Sequence, residues 1–309
     1  MPRVFILILH WEKYEITKSC LESFRKLDYP NFKIVVLDNA SKNDSAQRLQ
    51  KEFPEAIFIF NKENKGYGAG MNPGIKYALN NGADYIFLLN NDIIVSQPDF
   101  LKKLINFMGS NEKVGIIGPK LLFPDGSYQR SYRYFFLSLA LGFWWPEKIF
   151  TGLHKLFLLP SSENVVRKVD WLNAVALLFK KQVFEDIGLM DERFFLGAED
   201  VDLSLRAKRK GWETWYYPQA ELTHLSFISH VKTGAGYDKF WTESTLLFLD
   251  KYYGKPLAFI IRILMSLGLF LRAIQWSIAG IFKKQFFERA RNFFKISWLA
   301  LTLKPKSNL

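Results

Sequence analysis

The first hundred residues alternate short apolar runs with amphipathic stretches. Val4–Leu9, Lys33–Leu37, Ile57–Phe60 and Tyr85–Leu89 are too short for helices and rich in β-branched and aromatic side chains. Between them, at about Thr17–Leu27, Ser45–Phe53 and Ala69–Asn80, apolar residues recur at helical spacing. This alternation predicts βαβ units and a mainly parallel central sheet flanked by helices. Pro98 at a helix start and Gly109 after its end bracket a fourth helix.

A second block runs from Val114 to about Pro218. It holds strand-like Val114–Phe123 and Val175–Lys180, then a helix near Val201–Lys210 closed by Gly211. Pro218–Thr223 reads as a strand and turn leading to His224. Tyr128–Pro160 is aromatic and irregular, either an acceptor-binding insertion or a patch that touches a membrane.

From Leu257 to Phe282 the chain is mostly apolar, interrupted by Arg262 and Arg272, and a basic, aromatic helix follows at about Phe286–Leu303. Three readings stand for this extension: an amphipathic helix in the bilayer interface, a spanning or re-entrant segment, or packing against the domain. The net charge of +12 sharpens this. From Lys251 onward there are eleven Lys or Arg and one acid, a net +10, which leaves +2 for the first 250 residues. These cations alternate with large aliphatic residues, which favours a membrane surface over nucleic acid. The division expected is a catalytic domain over 1–250, with halves of about 1–112 and 113–250, and a membrane-associating helical tail over 251–309.

Composition otherwise excludes more than it assigns. Hydrophobic residues at 49% suffice for a core. The single cysteine, Cys20, rules out an internal disulfide framework and reads as a small buried thiol. Val4–Leu9 is too short for a signal-peptide core, so a cytoplasmic protein, peripheral on the inner face of the cell membrane, is expected.

Candidate chemistry gathers at predicted strand ends, where open α/β sheets bind ligands. Asp38 ends the second strand and opens the turn DNASKND, which by itself also suits capping. The third strand is followed by Asn64 to Asn72, with Gly66, Tyr67, Gly68 and Gly70, a spacing that lets backbone approach a diphosphate without being a dinucleotide fingerprint. The fourth strand ends in Asn90-Asn91-Asp92, where a carboxylate can hold a hard divalent cation. Glu199-Asp200 open a helix behind Phe194-Phe195-Leu196-Gly197, an apolar wall that raises a carboxylate towards the pKa of a useful base. An N-cap is the plainer reading of that pair. His224 is one of four histidines and a candidate metal ligand.

VVLDNASKNDS, NKENKGYGAGMNPGIKYA, LLNND and GLMDERFFLGAEDVDLSLRAKRKGW occur in that order. Together they resemble the family 2 glycosyltransferases, inverting enzymes of GT-A fold, over about Arg3 to His230. The subgroup most similar includes bacterial rhamnosyltransferases of cell-surface polysaccharide synthesis. The resemblance implies a nucleotide-sugar donor (dTDP-rhamnose or UDP-sugar type), a glycan or lipid-linked acceptor, and Mg²⁺ or Mn²⁺. It implies that Asp38 binds the pyrimidine base and that Asn64, Gly66, Tyr67, Asn90 and Asn91 line the donor site. Asp92 then ligates the metal with His224, Asp200 is the catalytic base, and Glu199 contacts the acceptor beside Trp171, Asn173 and Ala174. The motif here begins with the amide Asn90, and the first strand ends in His10-Trp11-Glu12 where relatives commonly carry Asn.

Two rivals follow from the same residues. A nucleotidyltransferase would want a basic glycine loop after the first strand, which HWEKYE is not. A non-catalytic carbohydrate-binding or membrane scaffold protein would need neither Asp92 nor the pair Glu199-Asp200.

Overall fold

The computed structural model describes residues 1–134, 162–226 and 235–303. Most of the aromatic stretch Tyr128–Pro160 lies outside the described residues. The chain divides into two compact units. The first comprises Met1–Arg133, Ser162–Phe195 and Glu199–His230, and the second Tyr134–Ser161, Leu196–Ala198 and Val231–Leu309.

In the first unit, β1 (Val4–His10), β2 (Phe32–Asp38), β3 (Ile57–Phe60) and β4 (Tyr85–Asn90) lie parallel in the order β3-β2-β1-β4. Helices α1 (Tyr14–Ser23), α2 (Ser45–Glu52), α3 (Tyr67–Asn80) and α4 (Phe100–Gly109) connect and follow them. Val4 to Ile8 of β1 are buried on both sides of the sheet, which is why that strand reads as an unbroken apolar run. Gly109 is the last residue of α4 rather than a stop beyond it.

The sheet continues through β5 (Ile93–Ile94), β6 (Val114–Leu122), β11 (Ala176–Lys180) and β12 (Glu213–His224), giving the order β3-β2-β1-β4-β11-β6-β12-β5. β11 runs antiparallel to both β4 and β6, while β12 is parallel to β6, so the sheet is mixed: parallel over β3-β2-β1-β4, with a reversed strand between β4 and β6. The register of β12 on β6 jumps between Tyr217 and Glu221. Pro218 falls in that bulge and Pro119 pairs beside it, so neither imino acid interrupts a regular ladder. Short strands β7 (Tyr128–Gln129) and β9 (Arg167–Val169) border β6 and β12, and β8 (Tyr132–Arg133) pairs with β10 (Trp171–Leu172) as a separate ribbon. α5 (Lys181–Ile187) and α6 (Glu199–Arg209) complete the unit, and Gly211 closes α6 with φ +92°.

The second unit is dominated by α7 (Ala235–Phe282) and α8 (Phe286–Thr302). Gly254, at φ 73° and ψ 160°, breaks α7 just before Pro256. Residue 251, where the tail is expected to begin, lies just before that break. α8 folds back antiparallel along α7: Phe287 meets Gly280, Phe294 meets Phe270, and Arg262 Nη1 donates to the Leu303 carbonyl at 2.8 Å. Ser266 and Ser297 exchange hydrogen bonds midway, within an apolar seam that includes Met265, Leu269, Ile296 and Ala300.

Candidate active site

The sheet topology brings distant residues to one edge. After β4 a tight turn at Asn91-Asp92 leads into β5, which pairs with the end of β12 at Ile93↔His224. The Leu225 amide donates to the Asp92 carbonyl at 2.9 Å. Asp92 and His224, far apart in sequence, are thus neighbours: His224 Nε2 lies 3.1 Å from Asp92 Oδ1, both residues nearly enclosed.

The histidine is oriented from behind. Gln129 Oε1 accepts from its Nδ1 at 2.7 Å, and Ser226 Oγ lies at 3.1 Å from the same nitrogen. An amide oxygen only accepts, so Nδ1 carries the proton and Nε2 is the nitrogen turned towards the carboxylate. An imidazole nitrogen and a carboxylate oxygen 3.1 Å apart can share a cation. Roughly 3 Å is the edge of an octahedron with bonds of ~2.1 Å. Among the described residues no group of three or more His, Cys, Asp or Glu converges as a metal cage. A divalent metal held here would take two protein ligands, one oxygen and one imidazole nitrogen, and its remaining ones from substrate and water. The residues present fit a divalent ion of that kind.

Asp200 lies at the head of α6. Its Oδ2 accepts from the Ala174 amide at 3.0 Å and its Oδ1 from the Val201 amide at 2.8 Å. Burial pushes its carboxyl up to about 6, against the opposing pull of those N–H groups and of the Arg133 guanidinium. Arg133 is itself lowered to about 10 by burial and by Arg130. Glu199 is 6% exposed. The Tyr67 hydroxyl donates to the Ala174 carbonyl at 2.9 Å. Burial raises that phenol, and the charges of Glu199, Asp200 and Asp92 raise it further. All three carboxylates therefore act on one ring, from opposite sequence halves.

The glycine-rich segment does something other than expected. Gly66 adopts φ +98°, and a Cβ there would sit 2.0 Å from the Phe195 carbonyl oxygen. Its N–H donates to Asn64 Oδ1 and its carbonyl accepts from Asn39 and Gly70. Both of its polar groups are thus engaged within the chain, so Gly66 does not offer backbone to a donor. Gly68 closes on Met190, and Gly70 on Leu9 and Asn39. Buried Asn72 donates to the Met190 carbonyl and accepts from the Met190 amide, both at 3.0 Å, and the Tyr67 amide donates to the Phe195 carbonyl at 2.9 Å. The glycines let α3 lock onto the loop that carries the acid pair.

Other predicted residues divide. Asp38 is buried at the end of β2, where it accepts from Ser41 Oγ at 2.5 Å and holds the following turn. Asn90 is half-buried at the end of β4. Asn91 turns away from its neighbours, its amide donating to Thr17 Oγ1 at 2.8 Å. Trp171 was expected to offer a ring face to an acceptor sugar. It is 5% exposed, its backbone fixed opposite Arg133, and leaves no open face. Asn173 and Ala174 remain half-buried beside Asp200. Cys20 is buried in α1, as expected.

Sequence reasoning missed Gln129, Arg133, Asn39 and Asn72. It also missed a directional chain at the strand ends. Ser45 Oγ donates to Asn43, so it accepts from His10 Nε2, leaving His10 Nδ1 to accept from Thr17, which accepts from Asn91. The imidazole is neutral in this chain, and burial lowers its pKa accordingly. Left-handed backbone at non-glycine residues marks the same places. Glu12, Ala40, Ala198 and Ser226 each lie within two residues of His10, Asp38, Glu199 or His224.

Comparison with known proteins agrees with this fold. Residues 5–167 match the model of glycosyl transferase family 2. An N-acetylglucosaminyl-diphospho-decaprenol L-rhamnosyltransferase of Mycobacterium tuberculosis is 29% identical over 238 residues, covering 72% of this chain and 76% of that protein. The dTDP-rhamnosyl transferase RfbF of Shigella flexneri is 25% identical over 207 residues, 67% of this chain and 64% of its own. Among solved structures, the mannosyltransferase PcManGT from Pyrobaculum calidifontis, in complex with GDP-Man and Mn²⁺, superposes with a TM-score of 0.61 at 12% identity. That match covers 97% of this chain and 87% of the other. The fold is therefore of GT-A type, a mixed α/β sheet with flanking helices. The chain belongs to glycosyl transferase family 2 and is a glycosyltransferase.

Proposed function

We propose that the chain moves a sugar from a nucleoside-diphosphate sugar, of the dTDP-rhamnose or UDP-sugar type, to a hydroxyl of a glycan or lipid-linked acceptor. The product belongs to cell-surface polysaccharide synthesis, and configuration inverts at the anomeric carbon. The observation that carries the reading is Asp92 paired to an oriented His224 at one sheet edge, with Tyr67 bonded to the Ala174 carbonyl and the Ala174 amide in turn holding Asp200. Both curated relatives are named as rhamnosyltransferases, and one name specifies a diphospho-decaprenol acceptor, which supports this donor and acceptor class.

Asp92 and His224 would hold Mg²⁺ or Mn²⁺; a solved relative carries Mn²⁺ with its sugar nucleotide. When bound, such an ion supplies positive charge to the departing diphosphate. Asp200 accepts the proton of the attacking hydroxyl. Its raised pKa keeps it basic enough for that step while leaving it ionised near neutral pH. The Ala174 and Val201 amides fix the carboxylate, so little reorganisation is needed as charge moves. Glu199, Asn173 and Ala174 would meet the acceptor. Asp38 and Asn90 would meet the nucleoside end of the donor, Tyr67 and Asn64 shape its floor, and Asn91 positions the β4 turn through Thr17.

The protein would act in the cytoplasm at the inner face of the cell membrane. The test is release of nucleoside diphosphate from a panel of nucleotide-sugars with Mn²⁺ or Mg²⁺ present. Turnover of one donor supports the reading, and inertness towards all, with and without acceptor lipids, returns the scaffold alternative.

A further inference from the structure

Arg262 and Arg272 interrupt the apolar sequence of α7, yet neither faces outward as a bare charge. Arg262 donates to the Leu303 carbonyl and lies 3.4 Å from Asp250, while Arg272 lies over the Phe293 ring at 5.7 Å. Both turn towards the α7–α8 seam. What α7 exposes from Pro256 to Phe282 is Pro256, Gln275 and otherwise large apolar side chains, among them Phe259 (62%), Leu267 (46%), Ile278 (56%) and Phe282 (84%). These recur at helical spacing and form one long stripe. The 44-residue helix segment Lys239–Phe282 is apolar enough to cross a membrane, with only 39% of its most apolar window buried.

α8 decides how that stripe is used. It lies antiparallel along the same stretch of α7, level with Phe270 to Gly280. Its exposed residues include Arg289, Arg291 and Lys295, with Lys283 and Lys284 in the connecting turn. A hairpin crossing the bilayer would carry those α8 cations into hydrocarbon beside the most apolar part of α7. A hairpin lying in the plane of one leaflet would immerse the α7 stripe and keep the same cations at headgroup level.

We propose that α7 and α8 form a preassembled monotopic hairpin that docks in-plane on an anionic bilayer. The α7 stripe enters the acyl boundary, and Lys283, Lys284, Arg291 and Lys295 meet lipid phosphates, while Arg289 lies over the Trp276 ring at 5.0 Å. This deepens the membrane placement given above and stands apart from the transfer chemistry, because the test needs neither donor nor acceptor.

Full-length protein is floated with vesicles of phosphatidylcholine alone or containing phosphatidylglycerol. Binding should be strong only with the anionic lipid and should fall with salt. Replacing Lys283 and Lys284 by Gln should weaken it about five-fold per charge. The triple change Ile263→Glu, Leu267→Glu, Phe270→Glu should abolish it, with an unchanged circular dichroism spectrum and thermal midpoint in solution as the check that the chain is folded. Equal binding to both vesicle types, or no binding, overturns the proposal. For geometry, a Lys295→Cys variant bound to vesicles is treated with a membrane-impermeant maleimide, Cys20 being buried. Labelling is expected, whereas protection would mean that α8 crosses the bilayer and would overturn the in-plane arrangement.

Discussion

Replacing Asp200 by Asn should inactivate the protein and at the same time make it more stable. The carboxyl titrates at about 6 in the fold against an ordinary value of 3.8, chiefly through burial. The native state therefore holds that proton more tightly than the unfolded chain, and ionising it costs stability as pH rises from the ordinary value through the raised one. Linkage puts the full cost at about 3 kcal/mol near pH ~7.5, falling to about 1 kcal/mol near pH ~4.5. Asparagine removes the charge but keeps one oxygen for two amide donors, Ala174 and Val201. The mismatch offsets about 1 kcal/mol of the gain. A net stabilisation of about 2 kcal/mol, a few degrees in Tm, is expected near neutral pH. It should shrink or reverse in acid. Denaturant melts of both proteins at the two pH values, beside kcat for sugar transfer, measure it. A variant less stable than its parent at neutral pH would show that Asp200 is a structural cap. Parental turnover would remove it from the chemistry.

Further outcomes concern the titration of Asp200, the Asp92–His224 pair and Gly66. The pH profile of kcat/KM should fall about tenfold per unit below the Asp200 titration. Arg133→Gln should move that limb to higher pH, since the guanidinium holds the carboxyl down; an unmoved limb separates Arg133 from the base. Asp92→Ala should reduce calorimetric donor affinity in Mn²⁺ to its level in EDTA. Gln129→Ala, which frees the back of His224, should weaken Mn²⁺ binding about ten- to hundred-fold. Unchanged binding in both variants would dismiss the pair as a metal site. Gly66→Ala should cost at least about 2 kcal/mol, from positive φ and from the Phe195 carbonyl in its path, read as a lower denaturation midpoint.

The parallel half of the sheet was legible because β1 and β4 are buried apolar runs, β2 ends in one, and the shorter, half-buried β3 is apolar throughout, with amphipathic helices between them. The direction of β11 was not, since a short apolar run such as Ala176–Phe179 looks the same read either way along a sheet. Asp92, Asp200 and His224 stood out as polar residues at strand or helix ends. Gln129 gave no signal, because a two-residue strand has no periodicity and its partner His224 lies far along the chain. Trp171 misled for the opposite reason: an aromatic residue near a predicted site looks like a stacking platform until its burial is known. The arginines of α7 misled likewise. Composition counts them as interruptions of an apolar helix, while packing turns them onto Leu303 and Phe293.

The interlock of residues 64–72 with 190–195 has a consequence for anyone recombining relatives of this protein. The Asn72 side chain reads both backbone groups of Met190, and Gly66 leaves space only for Phe195 as placed here. A chimera that imports one stretch without its mate inherits a mismatched contact a few residues upstream of Asp200. Crossover points for swapping acceptor preference therefore belong outside both stretches, with the two exchanged as a set.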